Sequence, residues 1–157
     1  MGFYDPGLGE PQTLGQMMLS HHAPHEYDRC YRLGRHHLCG RCTGIYPALV
    51  AGLVVSAYLP PLPEWLEWLC LLALPVPALI DWAASWIFRL YGRNWVRTLT
   101  GALLGLAVAR NLHLQWDEPF QPMVLIQAGV LGGAALLIFT AGYIRRQSSI
   151  STRDLIR

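Results

Sequence analysis

Apolar residues collect in four runs along the chain: roughly Thr43 to Leu59, Trp65 to Ile80, Leu99 to Val108 and Met123 to Ile144. The first and last are long enough to cross a hydrocarbon core of about 30 Å as helices rising about 1.5 Å per residue. The third reaches that length if it starts near Arg97 and runs to His113. Pro75 and Pro77 interrupt the second, where two missing backbone donors predict a kink before the run continues past Asp81 towards Leu90. Pro60, Pro61 and Pro63 end the first run and launch the second through a tight turn. The expected fold class is all-α, a polytopic membrane protein of about four transmembrane helices.

Composition supports the membrane reading. The chain is 53% hydrophobic and 14% charged, whereas ordinary soluble domains are about a quarter charged. Lipids are therefore expected neighbours, and no nucleic-acid partner is expected. Residues 1–42 read as an N-terminal arm followed by a small Cys/His cap, 43–144 as the membrane domain, and 145–157 as a short polar tail. The arm up to about Ser20 is rich in Gly, Pro and Gln, without the basic start and apolar middle of a secretory signal.

Charge sets the orientation. The chain has no lysine, so arginine alone carries the positive-inside signal. Arg29, Arg32, Arg35 and Arg41 precede the first run, Arg89, Arg93 and Arg97 lie between the second and third, and Arg145, Arg146, Arg153 and Arg157 follow the fourth. Only Arg110 falls near the opposite side, where the two loops carry Glu64, Glu67, Asp117 and Glu118 with Trp65, Trp68 and Trp116. Four spans with both termini cytoplasmic satisfy every arginine cluster at once.

That orientation puts the chain's densest chemistry in the cytoplasm. Between Cys30 and Cys42 stand three of the four cysteines and two of the six histidines, with His21, His22 and His25 just upstream. A reducing compartment disfavours a structural disulfide, so the C-x-x-C spacing of Cys39 and Cys42 points to a metal or an exchanging dithiol. Zinc is the expected metal, because it accepts Cys and His equally and stabilises small structural sites by about 10–16 kcal/mol. Cys39 and Cys42 are the leading ligands. The other two come from Cys30, His37, His36, His21, His22 and His25. Covalent c-type haem is not expected, since Thr43 stands where its C-x-x-C-H motif needs histidine.

Within the membrane domain, Asp81 follows an apolar run and needs a charge partner there. Arg97 or Arg93 is the expected one, forming a clamp between the second and third spans. Gly101 and Gly105, like Gly129 and Gly133, have the small-xxx-small spacing that lets helices approach closely. His113, beside Trp116, reads as an ordinary headgroup-level residue rather than a haem or pigment ligand.

The stretch Cys39-Gly-Arg-Cys42-Thr-Gly-Ile-Tyr46 resembles the C-[AS]-R-C-[ST]-G-[IL]-Y signature of a family of small bacterial membrane proteins, domain of unknown function 2085. A second signature is similar too, running from Leu74-Pro75 through Asp81 to Gly92-Arg93-Asn94, Arg97, Thr100-Gly101 and Gly105. Family members carry Cys-His upstream of the first signature, where this chain has His21-His22, and Cys30 falls near a family serine. The resemblance implies a multi-span protein of the bacterial inner membrane and supplies no reaction.

Three functions fit these residues. An accessory or scaffold subunit of a larger membrane complex, with a zinc-stapled cap, suits the small size and glycine-faced helices. A membrane-embedded metal-dependent or thiol-redox enzyme would use the cap with Asp81 and Arg97, and only Glu26 and Asp28 lie near enough in sequence to serve as base. A metal carrier or sensor rests on the upstream histidines alone.

Overall fold

The apolar runs are helical, and a short hairpin precedes the first. The structure is a computed structural model that describes residues 29–33, 36–58, 60, 62–88, 90 and 92–154. Strands β1 (Cys30–Leu33) and β2 (His36–Cys39) pair antiparallel, with Cys30 opposite Cys39 and Arg32 opposite His37. Helix α1 (Gly40–Tyr58) follows β2 directly. The second run is a rod in three parts, α2 (Glu64–Trp68), a π-helical segment (Leu69–Ala73) and α3 (Val76–Ile87). Helix α4 spans Asn94–Asp117 and α5 spans Pro122–Asp154.

Among the described residues, three helical stretches are long and apolar enough to cross a membrane: Gly40–Tyr58, Glu64–Ile87 and Pro122–Arg145. The third expected span, α4, is 24 residues long and falls short in apolarity. Arg97, Arg110, Asn111, His113 and Gln115 are the residues that dilute it. Two boundaries also differ from expectation. Helix α1 begins at Gly40, so Cys42 lies in its first turn rather than in a separate cap. The expected polar tail is helical from Arg145 through Asp154, because it simply continues α5. The hairpin adds a little β-structure to a helical fold.

The main packing surface joins α1 to α4, and glycine makes it possible. A methyl group at Gly44 would strike the Thr98 carbonyl, and one at Gly101 the Arg41 carbonyl. At Gly105 it would come within 2.5 Å of the Ile45 carbonyl. Backbone therefore meets backbone along this seam. Helix α5 packs mainly against α3, where the Trp86 and Phe139 rings stack at 5.6 Å and Trp86 Nε1 donates to the Phe139 carbonyl at 3.2 Å. Gly142 lies under the Trp86 ring and leaves it room.

The kink at Pro75 is also resolved by side-chain chemistry. Proline has no N–H to offer the carbonyl four residues earlier, which is that of the fully buried Leu71. Gln127 of α5 fills the gap, its Nε2 donating to the Leu71 carbonyl at 2.8 Å.

Candidate functional site

The hairpin and the first turn of α1 bring three cysteines together. Cys30 and Cys39 are directly opposed across the strands and are 8% and 3% exposed. Cys42 is half-buried one helical turn on, its thiol in hydrogen-bond contact with that of Cys39 and close to Cys30. No disulfide joins any of the described cysteines. His37, two residues before Cys39 in the same strand, shares its face of the hairpin.

The expected ligand set is thus partly assembled. Cys30, Cys39 and Cys42 converge, and His37 lies on the matching face. Among the described residues, however, no group of three or more His, Cys, Asp or Glu side chains is arranged to hold a metal ion. His21, His22, His25, Glu26 and Asp28, together with the side chain of His36, lie outside the described residues.

Helix α4 anchors this cluster from below. Asn94 Nδ2 donates to the Cys30 carbonyl at 3.4 Å. Thr98 Oγ1 donates to the Gly40 carbonyl at 2.9 Å and lies 3.0 Å from Tyr31 Oη, which donates to it in turn. Thr43 Oγ1 closes the junction by donating to the Cys39 carbonyl at 2.9 Å. The hairpin is therefore fixed to the start of α4 as well as to α1.

Asp81 does have a charge partner, but it is Arg41 rather than Arg97 or Arg93. The reason is Gly101. With no side chain there, the Arg41 stem lies across α4, its Cγ 3.2 Å from where a Gly101 Cβ would be, and reaches α3. The clamp thus ties the first span to the second. Arg97 is 4% exposed, and its Nε has no hydrogen-bond partner among the described residues.

A second polar group lies towards the opposite end. Arg110 of α4 grips Glu67 of α2 with two hydrogen bonds, Nε to Oε2 at 2.8 Å and Nη2 to Oε1, with both residues buried. Asn111 donates to Gln127, the residue that covers the Pro75 kink. His113 Nε2 lies 3.5 Å from Asp117 one turn on. An open cavity of about 500 Å³ borders this group, with Glu64, Glu67, Arg110, His113 and Asp117 in its wall. The sequence pattern assigns Glu67 to a loop and leaves Arg110 without a partner. The available signal was a lone acid and a lone base, each at the outer edge of its apolar run.

The family whose model matches the chain is described as predicted membrane protein (DUF2085), and the match covers residues 25–110, more than half the length. That segment takes in the hairpin, α1, the kinked second span and α4 as far as Arg110. No curated protein and no solved structure matches the chain.

Proposed function

The chain belongs to the family of predicted membrane proteins (DUF2085), and on that premise we propose that it serves as an accessory or scaffold subunit of a larger complex in the bacterial inner membrane. It crosses the bilayer four times, α4 being the third span, with both termini cytoplasmic. The support is the placement of the arginines, with Arg110 alone at the far end and held there by Glu67. The observation that carries the subunit reading is the bare glycine surface of α5. A methyl group added at Gly129 or Gly133 would have nothing within 4 Å among the described residues, although small residues at this spacing suit helix contact.

A zinc ion staples the cytoplasmic cap in this reading, held by Cys39, Cys42 and Cys30, with His37 or one of His21, His22 and His25 completing four ligands. The convergence of three thiols supports it. The enzyme alternative has less support, because Asp81 is engaged by Arg41 and so is not available as a base.

Gentle purification of the native protein, with identification of co-purifying chains and elemental analysis, tests both parts. A stoichiometric partner set and one zinc per chain, lost in Cys39→Ser and Cys42→Ser, are expected. A monodisperse lone protein would defeat the subunit reading, and metal-free wild type would defeat the zinc site.

A further inference from the structure

The arginine-rich end of the molecule contains a buried guanidinium, that of Arg97, whose Nε has no partner among the described residues. Among the described residues, Arg41 and Arg97 share one nearby carboxylate, Asp81, and Arg41 takes it. Arg29 adds positive charge close enough to act on Arg97. Neither the Arg97 Nε nor the Arg41 Nε has a hydrogen-bond partner among the described residues. A buried cation normally recruits an anion, since its lost hydration must be replaced.

Helix α4 begins beside this cluster, and its own first turn supplies no charge to compensate its positive end. The residue before it, Arg93, makes no side-chain cap, and the first turn holds no acid. The leading backbone N–H groups and the helix dipole together favour an anion at that point. Among the described residues, a methyl group added at Gly92 would meet only the Asp81 carboxylate within 4 Å, and Arg41 neutralises that carboxylate. Arg41 itself is a quarter exposed, so the cluster is reachable from this edge.

We propose that Arg41 and Arg97, with the N-terminal turn of α4, bind a phosphate group carried by the headgroup of an anionic phospholipid. Guanidinium forks suit phosphate oxygens, and basic pockets between spans on the cytoplasmic side suit anionic headgroups. The surroundings favour a lipid as the source. Leu90 and Trp95, each two residues in sequence from Gly92 or Arg93, have more than half of their surface exposed, as residues beside acyl chains would be. This site does not rest on the zinc or subunit readings.

The test uses the full chain, purified in neutral detergent and stripped of lipid. Native mass spectrometry would compare retention of phosphatidylglycerol with that of phosphatidylcholine, and thermal unfolding would compare inorganic phosphate with chloride at equal ionic strength. Preferential retention of phosphatidylglycerol is expected, weakened about tenfold in Arg97→Gln through loss of charge-assisted hydrogen bonds. It should be unchanged in Arg145→Gln, a basic residue seated over the exposed Phe88 ring. Stabilisation by inorganic phosphate without a lipid preference would support the same site with a soluble ligand. If Arg97→Gln does not fold, Arg97→Lys, which keeps the charge but loses the fork, takes its place. No lipid preference together with no phosphate effect, or equal loss in the Arg97 and Arg145 variants, would overturn the proposal.

Discussion

Gly101 and Gly105 of α4 and Gly129 and Gly133 of α5 share one spacing and differ in surroundings. The α4 pair is pressed against the backbone of α1, so close that no side chain fits. The α5 pair faces open space. Spacing alone marks a helix surface that permits close approach, and it does not say whether the partner is in the same chain. Within α4 the seam is locked further by Thr98 and by the Arg41 stem crossing Gly101. Nothing comparable covers the corresponding surface of α5 among the described residues.

The largest effect is expected where the closed side carries buried charge. Arg110→Ala strands Glu67 in an interior that is 6% exposed at that residue, and losing one member of such a pair costs about 3–5 kcal/mol. Unfolding in detergent measures it. The double change Glu67→Leu with Arg110→Leu should recover most of the loss, because no unpaired charge remains. A single Arg110→Ala variant as stable as wild type would mean the pair is solvated and not part of the closed block.

A smaller effect, but a sharper contrast, comes from making one substitution on both faces. Gly44→Ala drives a methyl into the Thr98 carbonyl, a backbone atom with no rotamer to yield. The expected cost is about 1–3 kcal/mol, as for overpacking generally. Gly129→Ala meets nothing and improves helix propensity, so it should be neutral or stabilising by up to about 1 kcal/mol. Opposite signs in paired melts would uphold the contrast. Equal costs would show that α5 is packed as tightly as α4. Gln127→Leu sits between these extremes: it leaves the Leu71 carbonyl without its donor, at about 1–2 kcal/mol by the usual penalty for a buried unmet group.

Much of this arrangement was legible beforehand, and the reasons for the exceptions are physical. Long apolar runs can satisfy their backbone only as helices in lipid, so the helices followed from hydropathy. The glycine spacing was readable too, though not which pair closes. Asp81 had three arginines within reach of the same end, and the choice fell to Arg41 because Gly101 opens a path for its stem. That depends on how α1 crosses α4, which no local pattern encodes. The hairpin strands are four residues each and leave too little periodicity to detect. The role of Gln127 was recoverable in principle, since Pro75 must orphan a carbonyl that some side chain then serves. At the cap, the C-x-x-C spacing put Cys39 and Cys42 on one turn, whereas the cross-strand pairing of Cys30 with Cys39 required the hairpin register.

The smallest expected effect on stability separates the two faces most directly. Gly133→Leu adds a large side chain where nothing lies within 4 Å, so unfolding of the isolated chain should change by no more than about 0.5 kcal/mol. In the proposed complex the same side chain stands between α5 and its neighbour, and partners should be lost from the purified material. Gly132→Leu, one residue away and about 100° around the helix, provides the control, because a helix face is specific to within a part-turn. If the partner docks on the Gly129 and Gly133 side, Gly132→Leu retains more of it than Gly133→Leu does. Quantitative co-purification of tagged variants from the native membrane reads this out. Full retention of every partner by Gly133→Leu would mean that lipid, and not protein, covers this face of α5.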